Sequence, residues 1–146
     1  MESLAPGGDF QTVDTSSALA GIVDGWMLND GDISCAIAGN VDWMNYELAD
    51  VQLKRDPAYA LLRAYRQYGT DLLRVIGGRF SLALWDGSKR VGLVATDRFG
   101  QMPVYWSSIS HGDLLFGPTA TAVARLTGGR ATLSDQGIFN YLYFHM

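Results

Sequence analysis

Gly78-Arg79-Phe80-Ser81-Leu82-Ala83-Leu84-Trp85-Asp86 is the stretch on which the fold turns. Phe80, Leu82 and Leu84 alternate with Ser81, Ala83 and Trp85, and a two-residue period is the signature of a strand with one face toward a core. Downstream, Asp86-Gly87-Ser88-Lys89 is a turn, and Val91 to Ala95 follows as a second strand. Asp97-Arg98-Phe99-Gly100 turns the chain again into Val104-Tyr105-Trp106, and Ser110-His111-Gly112-Asp113 leads to Leu114-Leu115-Phe116. Short connections between successive strands predict an antiparallel meander of four strands.

Upstream the period is different. Asp56-Pro57 predicts a helix start, with an Asx N-cap and a proline at the first helical position, where its missing N–H costs nothing. Leu61, Leu62, Tyr65, Tyr68, Leu72, Leu73 and Ile76 recur at three- and four-residue steps and mark one helical face. Gly69-Thr70 interrupts them, and reads as a C′ glycine and a new N-cap, giving two short helices at an angle. Earlier still, Ala18 to Leu28 is a strand broken at Gly25, Asn29-Asp30-Gly31-Asp32 is a turn, and Ile33 to Ala38 is a buried strand, together a hairpin. At the other end, Thr119 to Leu126 reads as a short helix closed by Gly128-Gly129. Ser134 caps a last amphipathic helix bearing Ile138, Phe139, Leu142 and Phe144. The pattern predicts an α+β domain over 18–130, after a loose lead-in (1–17) and before a linker and helix (131–146).

Composition narrows the class. A chain of 146 residues fits one domain and can bury a core without disulfides or metals. Its apolar runs are far shorter than the roughly 20 residues a membrane helix needs, so no membrane association is expected. No Lys or Arg precedes Lys54, unlike a secretory signal, and the single cysteine, Cys35, excludes a disulfide framework. A cytoplasmic setting follows as the expectation. Residues 1–53 hold nine acids and no Lys or Arg, while the remainder holds eleven basic residues against six acids, for a net charge of −4. The basic residues are spread along helix and strands, so internal charge complementarity is the reading and nucleic acid is not an expected partner.

Four blocks of the chain, taken together, resemble the amidotransferase domain of asparagine synthetases. They are Tyr46-Glu47-Leu48 behind Ala38-Gly39-Asn40; Leu61 through Tyr68-Gly69; Gly78 through Trp85-Asp86; and Asp97-Arg98-Phe99-Gly100-Gln101-Met102-Pro103-Val104-Tyr105. Their order and spacing agree with that family through the Leu114-Leu115-Phe116 strand. The resemblance implies an N-terminal-nucleophile (Ntn) hydrolase-like αββα sandwich, antiparallel sheets flanked by helices, shortened at its N-terminus. Asp97, Arg98, Gly100 and Pro103 read as a structural motif: Asp97 as an Asx turn, Gly100 as a tight turn, and Pro103 as the start of an edge strand.

The same resemblance locates what this sequence lacks. The family's nucleophile is a cysteine at the start of the mature chain, with its own α-amino group as base; removal of Met1 here would expose Glu2. The family's oxyanion hole is an Asn-Gly pair, and Ala38-Gly39 stands in its place, keeping the backbone donor and losing the amide. The arginine clamp for the glutamine carboxylate has no counterpart, because no arginine precedes Arg55. The aspartate that holds the glutamine amino group aligns with Pro57; Asp56, one place away, reads either as a displaced remnant or as the N-cap of its helix. Only 37 residues precede Ala38, fewer than the family spends there, so its opening strands are expected to be shortened or lost. Cys35 stands as the one candidate substitute nucleophile, against the reading of a small buried hydrophobe. His111 and His145 are its only histidines, and no metal-ligand spacing or phosphate loop is present.

The sequence thus reads as a degenerate, non-hydrolytic amidotransferase-like domain, a scaffold or docking module with a vestigial pocket at Ala38, Gly39 and Asp56. It needs no cofactor itself; ATP and Mg would enter only with a following synthetase domain. The partners expected are such a domain in cis, a protein in trans, or a second copy in a homodimer. Beta-lactam synthetases and lasso-peptide cyclases are similar in keeping the domain without its terminal cysteine. The alternatives are a stand-alone binding or assembly protein of the same fold, and a glutamine-hydrolysing amidotransferase using Cys35.

Overall fold

The computed structural model describes residues 11–14, 19–22, 24–108, 114–127 and 135–144. They fall into two compact units, Met1–Pro103 and Val104–Met146.

The first unit is built on a four-stranded antiparallel sheet of β3 (Gly25–Asp30), β4 (Ile33–Trp43), β5 (Ile76–Asp86) and β6 (Val91–Thr96), in that spatial order. The predicted hairpin is β3–β4, pairing Asp30 with Ile33 across a turn in which Gly31 takes φ +65. Its upstream break falls at Asp24 (φ 54), one residue before the glycine expected to make it. The paired strands β1 (Gln11–Asp14) and β2 (Leu19–Ile22) precede it, so part of the segment read as a loose lead-in is a strand. Ala18 lies outside the described residues. Both β4 and β5 run further than the alternation suggested, pairing from Ile33↔Asp86 to Trp43↔Ile76.

Helices α1 (Tyr46–Lys54) and α2 (Pro57–Tyr68) pack with this sheet. The capped start of α2 is present: the Asp56 side chain accepts from the Tyr59 N–H at 2.8 Å, and Pro57 opens the helix. Gly69 (φ 59) ends it. A 3-10 turn, Gly69–Arg74, replaces the predicted second helix and begins without a side-chain cap. Ile76 belongs to β5, and Leu73 is 41% exposed, so the helical face closes at Leu72. Helix α1 has no counterpart in the sequence reading. Asn45 caps it through Glu47 N–H (2.8 Å), and Gln52 ties it to β4 by accepting from Trp43 Nε1 and donating to the Val41 carbonyl.

Between α2 and the sheet lies the core: Leu28, Cys35, Ile37, Leu61, Leu62, Tyr65, Leu72, Phe80, Leu82 and Leu84 among others. Removing a leucine of this kind from water contributes about 1.5–3 kcal/mol. One buried carboxylate sits among these groups. Asp86, 1% exposed, accepts from the Tyr65 hydroxyl (2.8 Å), from Ser88 Oγ (2.6 Å) and from Lys89. The Ser88 bond leads the effects that hold it well below the usual carboxylate range, with burial opposing and Tyr65 and Lys89 assisting.

The second unit holds an antiparallel pair, β7 (Tyr105–Ser108) and β8 (Leu114–Gly117), with α3 (Ala120–Leu126) and α4 (Asp135–Phe144). The four-strand meander is thus divided: β5–β6 lies in the larger sheet, and β7–β8 forms a sheet of its own. The reason is local, since the chain leaving β6 winds around Asp97 instead of making a hairpin turn. Thr119 caps α3 by accepting from Ala122 N–H (3.1 Å). Ser134 and Gly128-Gly129 lie outside the described residues. Among the described residues no helix is long and apolar enough to cross a membrane.

Candidate functional site

Asp97 organises the loop that follows β6. It is 3% exposed, and its backbone N–H donates to the Phe80 carbonyl at the end of the β5–β6 ladder. Its Oδ1 accepts from the N–H groups of Phe99 (3.0 Å) and Gln101 (3.2 Å), and Oδ2 from that of Met102 (3.1 Å). The first of these is the Asx turn. Burial pushes the carboxyl up, but the Gln101, Met102 and Phe99 donors outweigh it and hold it below its ordinary value. Gly100 takes φ +63 and closes the turn by donating to the Asp97 carbonyl (3.0 Å). Arg98 and Pro103 are exposed on the same loop.

That loop delivers Met102 to Gly39. Gly39 has φ +100, a conformation that L side chains rarely adopt, and pairs with Phe80 across the β4–β5 ladder. A Cβ there would collide with the Arg79 carbonyl oxygen and would lie 2.5 Å from the Met102 sulfur. The thioether therefore fills the space over the glycine. Met102 is fixed at both backbone groups, since its carbonyl also accepts from Thr96 Oγ1 at 2.7 Å.

Ala38 precedes Gly39 on β4, opposite Gly25 and Ser81, and is buried. By strand alternation its methyl faces away from the α2 side of the sheet. Cys35 faces that side. It is 3% exposed, pairs with Leu28 and Leu84, and its thiol donates to the Ala58 carbonyl (3.5 Å) in the first turn of α2. Burial first, then the nearby Asp56 charge, pushes the thiol up to about 12. At neutral pH it is a protonated core group, not a thiolate. His111 and His145, the sequence's two imidazoles, lie outside the described residues.

The residues singled out in the sequence thus form two groups. Cys35 and Asp56 meet at the start of α2, inside the core. Gly39, Asp97 and Gly100 meet on the loop side, through Met102. Met102 itself escaped the sequence reading. Its only signal was a position inside the Asp97–Pro103 block, and nothing in the sequence says that its sulfur would be seated on a glycine far upstream, on β4. Among the described residues no cluster of His, Cys, Asp or Glu could hold a metal ion.

With this geometry in place, comparison with known proteins identifies the class. The family of glutamine amidotransferase domains matches residues 44–146, and the chain belongs to that family. The match covers α1, α2, β5–β8 and the Asp97 loop, and begins after Ala38-Gly39. No curated protein matches the chain.

Proposed function

We propose that this amidotransferase domain is of the asparagine synthetase type, with an Ntn-hydrolase-like fold, and that it is catalytically degenerate. The reading makes it a non-hydrolytic scaffold or docking module for ATP-dependent amide formation, with ATP and Mg belonging to a synthetase partner in cis or in trans. The observation that carries it is the state of the single cysteine, buried between Leu28 and Leu84 with its thiol pushed up to about 12. An acyl-transfer nucleophile needs a thiolate and a base within hydrogen-bond reach, and Cys35 has a backbone carbonyl there instead. Two features support the same reading: a methyl at Ala38 where the resemblance calls for an amide donor, and a thioether seated over Gly39. Asp56 accepts from the Tyr59 N–H as the cap of α2, which supports the N-cap reading over that of a displaced remnant.

Incubation with L-glutamine tests this. We expect glutamate release indistinguishable from buffer, for the native protein and for Cys35→Ser alike. Turnover abolished by Cys35→Ser would overturn the reading and establish a glutaminase. One observation favours a binding or assembly role for the domain itself: Trp106, Leu126, Leu142 and Tyr143 of the second unit are all at least half exposed.

A further inference from the structure

We propose that Met102 is a modification site, oxidised by hydroperoxides, and that its thioether is the latch that holds the Asp97–Met102 loop closed over Gly39. Three observations place the latch there. The sulfur fills the room that a Cβ on Gly39 would need, at 2.5 Å from that position, so it is packed against backbone with no side chain between. The Met102 backbone is held at both ends, its N–H by Asp97 Oδ2 and its carbonyl by Thr96 Oγ1, so side-chain packing is coupled directly to the loop's hydrogen bonds. Met102 is also partly exposed, which leaves a small oxidant a path to the sulfur.

The step is a two-electron oxygen transfer. A sulfur lone pair attacks the terminal oxygen of the hydroperoxide, the O–O bond breaks, and the S–O bond forms. The proton on the transferred oxygen passes to the departing oxygen, so the hydroperoxide leaves as water or an alcohol. The product is bulkier than the thioether and carries a strong acceptor, and the group lining the seat over Gly39 is another acceptor, the Arg79 carbonyl oxygen. Two acceptors pressed together without a donor are unfavourable, and the flexible side chain relieves the contact by swinging into water. The loop then loses its packing and is held by the Asp97 and Thr96 bonds alone. This chemistry does not depend on the amidotransferase reading, because it uses only the loop and the glycine beneath it.

Arg98 supplies the readout. It is exposed within the loop, and tryptic cleavage after it requires the local opening that the latch opposes. After treatment with hydrogen peroxide, mass spectrometry should find one added oxygen on Met102 and on the 73% exposed Met44, with Met27 (3% exposed) unmodified. Cleavage after Arg98 should then be on the order of tenfold faster, and methionine sulfoxide reductases acting on both epimers should restore the slow rate. Met102→Leu, which keeps an apolar plug without sulfur, should be cleaved slowly with or without peroxide even though its Met44 still oxidises. The proposal is overturned if peroxide accelerates cleavage equally in Met102→Leu, if Met102 oxidises with no change in cleavage, or if Met102 stays reduced once Met44 is fully oxidised. Should Met102→Leu fail to fold, reversal by the reductases in the native protein decides the matter.

Discussion

In the first unit Leu28, Ile37, Leu61, Leu62 and Leu72 are each at most 1% exposed; in the second, Trp106 is 66%, Leu126 70% and Tyr143 72% exposed. Both units are written in apolar residues at the spacing of strands and helices. The difference lies in what each can assemble from itself. A four-stranded sheet offers one broad face, and the twelve-residue α2 covers it with Leu61, Leu62 and Tyr65. A two-stranded sheet and the seven-residue α3 bury little beyond Val123. Apolar periodicity says which face a residue takes on its element, while burial depends on whether a second layer exists to meet that face.

The sharpest way to break the comparison is a pair of truncations. Leu61→Ala should cost about 2–5 kcal/mol in urea unfolding, the range for a leucine removed from a packed core. Leu142→Ala, on the exposed face of α4, should change stability by no more than about 0.5 kcal/mol. A core-sized loss from Leu142→Ala would mean that α4 buries its apolar face in the folded protein, and the contrast between the units would collapse.

A second pair works inside the first unit. Gly39 and Gly100 both have positive φ, but an added Cβ meets nothing within 4 Å at Gly100 and meets Arg79 backbone and the Met102 sulfur at Gly39. Gly100→Ala should therefore show backbone strain alone, about 1–2 kcal/mol. Gly39→Ala adds a clash with backbone that cannot rotate away, so it should lose clearly more than Gly100→Ala in the same unfolding experiment.

The smallest effect concerns pH. The Asp97 carboxyl is held below its ordinary value in the folded state, so the unfolded chain binds the extra proton first as pH falls. Its stabilising contribution is complete above the unfolded pKa, about 3.9, and is lost as pH drops through the lower folded value. Asp86 behaves in the same sense. Urea midpoints measured from pH 6 downward should fall below pH 4 in the native protein, and fall less steeply in Asp97→Asn. Parallel curves for the two proteins would remove Asp97 from the account of acid sensitivity.

How much of this was legible in the sequence differs between fold and site. The Asp56-Pro57 cap, the Gly31 turn and the alternation through Phe80, Leu82 and Leu84 are local chemistry, and the structure contains all three. Helix α1 was missed because its signals are slight: an Asn45 cap, and Leu48 as its one fully buried residue. The split of the meander was illegible because Asp97-Arg98-Phe99-Gly100 resembles a hairpin turn, and only the three N–H bonds to the Asp97 carboxylate reveal a wider loop. The site was legible residue by residue but not as a geometry. Sequence marks Gly39 and Asp97 separately, and the sulfur that joins them is a long-range packing fact.

The account rests most directly on Cys35 being a core group, and iodoacetamide alkylation of the folded protein across pH 6 to 9 measures that. We predict negligible labelling throughout this range, where a thiol pushed up to about 12 stays protonated, and complete labelling once the protein is unfolded in urea. Rapid labelling of the folded protein near neutral pH, with a titration midpoint below 8, would show a reachable thiolate and contradict the account.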